Sequence, residues 1–168
     1  MAPEVSGISA SAEPTSVLRP LREADVAAAA RWYDEATVLA GSLFPLGDLL
    51  DSTNRRRTLA LVEGKDQGPA GLLVVALGDP EDGWATVTLL IVSQEERELA
   101  ARAVALLEVT VRLAGKHIRA AVPADVGLAL YFWLRLGYRP VVADGRLWMI
   151  RDLEASPAHA LFREGTGG

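Results

Sequence analysis

The chain predicts an α/β (α+β) fold, a central mixed, mostly antiparallel sheet of six to seven strands flanked by about four helices. Three observations carry this. Residues 84–140 run strand, long helix, strand, helix, strand. Upstream, residues 58–63 and 70–77 are apolar, β-rich runs separated by the short glycine-flanked stretch 64–68, the pattern of a hairpin. Downstream, residues 138–142 and 147–150 flank Asp144-Gly145, a dipeptide suited to a tight hairpin turn.

Each element has its own reason. Residues 17–21 read as a first short strand. A helix then opens near Arg22, with Glu23 and Asp25 at its positive end. Val26, Ala29, Ala30 and Tyr33 recur at helical spacing and extend the expected helix to about Leu39. Pro45 and Gly47 break the chain, and residues 48–54 read as a second short helix. The loop 78–83 follows from its Gly-Asp-Pro-Glu-Asp-Gly composition. Residues 84–92 are apolar on both faces and read as a central strand. Residues 94–114 form the strongest helical pattern, with Leu99, Ala103, Leu106, Thr110 and Leu113 on one stripe and Gly115 as the stop. Ser93 and Glu96 have the spacing of a capping box. Residues 117–122 read as a strand. Residues 126–136 read as a helix so apolar that burial on several sides is expected.

Composition narrows the function classes. The 168 residues suffice for one domain, expected over 17–153, with a disordered tail at 1–16 and a loose tail at 154–168. No cysteine is present, which excludes disulfides, thiolate metal sites and a cysteine nucleophile and suits a cytoplasmic protein. Residues 1–14 lack the basic-then-apolar pattern of a signal peptide, and no apolar run reaches the ~20 residues a membrane span needs. Seventeen basic against 22 acidic residues give a net charge of −5, so no nucleic-acid partner is expected. The one basic run, Arg55-Arg56-Arg57, reads either as a solvated turn or as an anchor for a carboxylate or phosphate. His117 and His159 are far apart and no cluster has metal-ligand spacing, so no metal is expected.

The phrase Ala129-Leu130-Tyr131-Phe132-Trp133-Leu134-Arg135-Leu136-Gly137-Tyr138 resembles the fourth-helix phrase of the GCN5-related N-acetyltransferase (GNAT) superfamily. The element order over residues 17–153 is similar to that family's fold. The resemblance implies acetyl-CoA or another acyl-CoA as donor, its pantetheine paired with the strand at Ile91 and Val92. Its pyrophosphate would meet the turn Arg97, Glu98, Leu99, Ala100, Ala101 and Arg102, because a helix N-terminus presents unpaired amides. This turn departs from the family, with Glu98 and Ala100 where glycine is usual and Arg102 where glycine or alanine is usual. Two readings stand side by side: a self-capped helix start with no ligand, and an altered coenzyme A site.

The resemblance also implies a tyrosine acid four residues before Gly137, and that position is Trp133. Indole N–H donates hydrogen bonds but is no practical acid. Tyr131 lies two residues earlier, roughly 200° round the helix, and is the other candidate. Glu63, at a strand end, is the candidate base. Trp32, Tyr33, Phe44, Tyr138 and Trp148, with Trp133, are candidates to line an apolar substrate pocket. Three functions remain open: an acyltransferase acting on an amine of a small molecule, a biosynthetic enzyme on this scaffold without coenzyme A, and a non-catalytic binding protein. A homodimer is expected under each.

Overall fold

The computed structural model describes residues 16–43, 45–50, 56–63, 68–94, 96–113, 115–123 and 127–153. The two expected tails (except Ser16), Phe44, Arg55, the 64–67 turn, Glu95 and His159 lie outside these. The strands are β1 (Ser16–Pro20), β2 (Thr37–Gly41), β3 (Arg56–Glu63), β4 (Gly71–Leu77), β5 (Trp84–Val92), β6 (His117–Ala121), β7 (Arg139–Ala143) and β8 (Arg146–Asp152). The helices are α1 (Glu23–Ala29), α2 (Arg97–Arg112) and α3 (Gly127–Arg135). One sheet holds all eight strands in the order β1-β3-β4-β5-β6-β8-β7, with β2 joined to β5 off this path. Every strand pair is antiparallel except β5 with β6.

Alternation along the strands sorts side chains into two cores. Ala60, Val62, Leu72, Val74, Leu89 and Ile91 pack with Ala29 and Tyr33 beside α1. Leu61, Leu73, Val75, Val87, Leu90 and Val92 pack with Leu99, Ala103, Leu107 and Val111 of α2 and with Phe132 and Trp133 of α3. Val87 and Leu90 differ in parity yet share a core. The cause is a bulge in β5 at Thr88, where the register with β4 shifts between Val74 and Val75.

β1 and α1 are tied by Arg19, whose guanidinium donates to both oxygens of the buried Asp25 at 2.5 and 2.7 Å, while the Arg22 amide donates to the same carboxylate at 2.8 Å. The Arg19 hydrogen bonds hold the Asp25 carboxyl below the usual aspartate range, partly opposed by burial and aided by the Arg22 amide. A carboxyl lowered in the folded state stabilises above its unfolded pKa, and that contribution fades as pH falls through the folded value. Asp25→Asn is therefore expected to cost about 1–2 kcal/mol at pH 7. Urea midpoints should show this deficit narrowing as pH falls from about 4 toward 2. A deficit of equal size at both ends would contradict the role given to this ion pair.

Several expectations need correction. The helix expected from Arg22 to Leu39 ends at Ala29, and a short 3-10 turn at Tyr33–Glu35 leads into β2. Among the described residues there are three α-helices: residues 46–50, where the second short helix is expected to begin, form a 3-10 turn, and residues 51–54 lie outside the described residues. α2 starts at Arg97, and the Ser93/Glu96 capping box is absent: the Glu96 amide donates to the Ser93 carbonyl at 3.2 Å and no side chain caps the helix. The buried stripe of α2 is rotated, with Leu99, Ala100, Ala103, Val104, Leu107, Glu108 and Val111 inward and Leu106, Thr110 and Leu113 outward. α3 is buried on one side only, through Ala129, Phe132 and Trp133, with Leu128, Tyr131 and Leu134 exposed. The β7–β8 hairpin forms as expected, with Asp144 and Gly145 at φ 54° and 72°.

Candidate functional site

The sheet divides at the β5 bulge. Before it, residues 84–87 of β5 pair in parallel with residues 117–120 of β6. Past it, β6 leaves, and this edge of β5 is taken by β2, running antiparallel: Thr37 opposes Val92, Val38 opposes Ile91, Ala40 opposes Leu90 and Gly41 opposes Leu89. β2 has its own bulge at Leu39, which frees the Leu39 carbonyl from the ladder. The Trp133 indole donates to that carbonyl at 2.7 Å in a fully buried bond. Leu39, Ala40 and Trp133 are all 0% exposed, so the division is filled. Gly41 permits the close approach. Its φ is 74°, and a Cβ there would stand 1.9 Å from the Thr88 carbonyl oxygen.

The site residues expected from sequence separate into different places. Ile91 and Val92 have both edges in ladders, to β4 on one side and to β2 on the other. Trp133 does reach the division, but its N–H is spent on Leu39. Tyr131 is exposed on α3, where Arg135 sits 5.7 Å from its ring. Glu63 lies two strands from the division, beside Arg102 at 3.8 Å. It therefore joins neither Trp133 nor Tyr131.

The α2 turn also shifts. Ala100 donates to the Glu96 carbonyl at 3.2 Å, and Ala101 and Arg102 follow inside the helix. Leu99 and Ala100 point their side chains into the core. The amides without an intrahelical acceptor are those of Arg97, Glu98 and Leu99. Of these residues, Arg97 and Glu98 border a cleft of about 480 Å³ between the first turns of α2 and the outer side of α3, lined also by Ala101, Tyr131, Phe132 and Arg135 among others. Arg135 is a residue the sequence reading did not single out. The signal available was its place one turn past Tyr131 on the same helix.

The aromatic pocket expected from Trp32, Tyr33, Trp133, Tyr138 and Trp148 does not form. Tyr33 is in the α1-side core, and Trp32 packs there while donating to the Pro69 carbonyl at 3.0 Å. Trp133 and Tyr138 meet edge to face at 4.8 Å in the other core. Trp148 lies under Arg119, 4.0 Å from its guanidinium carbon. Trp32 and Tyr33 follow α1 and pack on one side of the sheet, whereas Trp133 on α3 and Tyr138 just after it pack on the other. His117 stacks on Trp84 at 4.6 Å. Among the described residues, no group of three or more His, Asp or Glu could hold a metal, and no helix is long and apolar enough to cross a membrane.

A buried polar network was also missed. Glu108 accepts from the Tyr138 hydroxyl at 2.9 Å and from Arg151 at 3.1 Å, and Arg151 also donates to the Leu136 carbonyl at 2.9 Å. It ties α2, β8 and the turn that ends α3. Burial first, then the neighbouring Glu108 carboxylate, push the Tyr138 hydroxyl well above the usual tyrosine range, so it stays a donor. The sequence signal is an acidic residue four places after Val104 and three before Val111, on the stripe that the structure buries rather than on the one expected from Leu99, Ala103, Leu106, Thr110 and Leu113.

Coenzyme A, the donor implied by the resemblance, does not fit while β2 is docked, because its pantetheine arm would need the β5 edge at Ile91 and Val92, which pairs with Val38 and Thr37. The Arg97 to Leu99 amides and the two arginines of the cleft suit its phosphates.

No protein-family model matches the sequence, and no curated protein matches it in sequence. Solved structures are similar. An acetyltransferase from Thermus thermophilus shares 26% identity at a TM-score of 0.68, over 82% of this chain and 97% of that one. A protein assigned to the GNAT family from Desulfovibrio desulfuricans shares 15%, over 83% and 99%, at 0.65. The ribosomal-protein-S18-alanine N-acetyltransferase of Escherichia coli shares 14%, over 83% and 94%, at 0.63. The fold is GNAT-like, and these three structural neighbours are described as acetyltransferases.

Proposed function

We propose that this chain is an acyltransferase that moves an acyl group from coenzyme A, or a related carrier, to an amine of a small molecule. The observation that carries this reading is the division of the sheet between β5 and β6, where the β5 edge at residues 89–92 pairs with an extended segment, β2, in place of β6. The likeness to the Thermus thermophilus acetyltransferase supports it. In this reading the amides of Arg97, Glu98 and Leu99, with the Arg97 and Arg135 side chains, meet the donor's phosphates. Transfer to an amine draws mainly on proximity and a deprotonated amine. A tryptophan at position 133 in place of a phenol therefore lowers the rate without barring the reaction.

Titration calorimetry with acetyl-CoA tests the reading. Arg97→Ala combined with Arg135→Ala is expected to weaken binding about a hundredfold or more, since charge-assisted bonds to phosphate contribute roughly 1.5–3 kcal/mol each. Pantetheine, which lacks the diphosphate, should bind both proteins alike. Absence of binding up to millimolar acetyl-CoA, in wild type and in Gly41→Ala, would remove coenzyme A from the account. A second reading, an enzyme on this scaffold without coenzyme A, is favoured by one observation: the chain fills the division with its own backbone.

A further inference from the structure

We infer that β2 is an internal competitor for the acyl donor: Thr37–Gly41 occupies the donor's place along β5 and must withdraw before the donor binds. The inference rests on the acyl-CoA reading above.

Three features make β2 a docked insert. It is off the path of the sheet, held on β5 by the ladder from Thr37 to Gly41. Its approach depends on a glycine whose missing side chain leaves room for the Thr88 carbonyl. Its bulge presents the Leu39 carbonyl to Trp133, the residue at the position where the resemblance puts the group facing the donor's sulfur. One indole N–H thus serves the strand in the closed form and is released in the open one. An extended backbone and a pantetheine arm both offer amides spaced along an extended chain, which is why one edge can serve either.

The consequence for affinity follows from population. When only the open fraction binds, the apparent dissociation constant is the intrinsic one divided by that fraction. A protein open about one time in a hundred binds about a hundredfold more weakly than its open form. Loosening β2 therefore tightens donor binding, and pinning β2 abolishes it.

The chain has no cysteine, so a pair introduced at two positions is the only one present. Val38 and Ile91 are register partners on the same side of the sheet, both facing the α1-side core. Opposed residues of antiparallel strands are within the span a disulfide bridges. The experiment is titration of Val38→Cys/Ile91→Cys with acetyl-CoA, whose sulfur is acylated and does not exchange with the bridge, before and after reduction by a phosphine. The expected result is no detectable binding when oxidised and binding within about threefold of wild type when reduced. Gly41→Ala, tested in parallel, should bind at least tenfold more tightly than wild type, and it provides the test if the double variant does not fold.

Equal binding by the oxidised and reduced forms, or Gly41→Ala no tighter than wild type, would overturn the competitor role while leaving the acyl-CoA reading in place. Binding by none of these proteins would overturn both.

Discussion

Trp133→Ala lowers the unfolding free energy by about 4 kcal/mol, the largest loss expected from a single substitution in this chain. Trp133 is 0% exposed and meets Phe132 and Tyr138 edge to face at 5.3 and 4.8 Å. Truncation removes that packing and leaves a cavity where α3, β2 and the sheet converge. It also strips the Leu39 carbonyl of its partner, and an unpaired buried acceptor costs about 1–3 kcal/mol. The melting midpoint should fall by roughly 10 °C or more for a domain of this size. Trp133→Phe keeps most of the volume but not the N–H, so it should lie between the two, about 2 kcal/mol below wild type. Chemical denaturation checks both, and a loss under about 1 kcal/mol for Trp133→Ala would mean that the indole is not central to the core.

Arg151→Ala is the second large loss, about 3 kcal/mol. Among the described residues it leaves the Glu108 carboxylate with only the Tyr138 hydroxyl as donor, and it also removes the bond to the Leu136 carbonyl. The Glu108 side chain is 11% exposed and that of Arg151 is 32%, so water screens the pair from one side and places the cost at the lower end for buried ion pairs. The double variant Arg151→Ala with Glu108→Gln should regain at least about 1 kcal/mol over Arg151→Ala alone, because no buried charge is then uncompensated. Urea unfolding of the three proteins measures this. A double variant no more stable than Arg151→Ala would assign the loss to the Leu136 bond instead.

What the sequence revealed follows the range of its interactions. Residues 56–63, 71–77 and 84–92 announce themselves by apolar, β-rich runs, and Asp144-Gly145 announces its hairpin, since these signals are local. The existence of α2 was legible, but its capping was not: Ser93 and Glu96 have the right spacing, yet their backbones bond each other directly. β2 was missed because its only ladder is with β5, some fifty residues away, and because the alanines before it extend a helical pattern. Its bulge at Leu39 also breaks the alternation that marks a strand.

The site was legible to the same degree. Trp133 was found at the division, but its partner Leu39 is 94 residues away and left no trace at either position. The aromatic residues were counted correctly and grouped wrongly, because composition does not say which face a ring takes. Arg135 and Glu108 each carried a local signal. One is a cation beside an aromatic residue on an exposed helix side, and the other is a carboxylate on an apolar stripe.

Under the competitor proposal, one edge of β5 serves β2 and an acyl donor in turn. Amide hydrogen exchange, followed through residues 37–41 and 89–92 with and without acetyl-CoA, tests it most directly. Without ligand both segments should be protected together, since each ladder bond protects one or the other. At saturating acetyl-CoA, residues 37–41 should lose protection while residues 89–92 keep it, because the edge changes partner without becoming free. Bound acetyl-CoA with residues 37–41 still protected would contradict the account, and the donor would then have to lie elsewhere on the molecule.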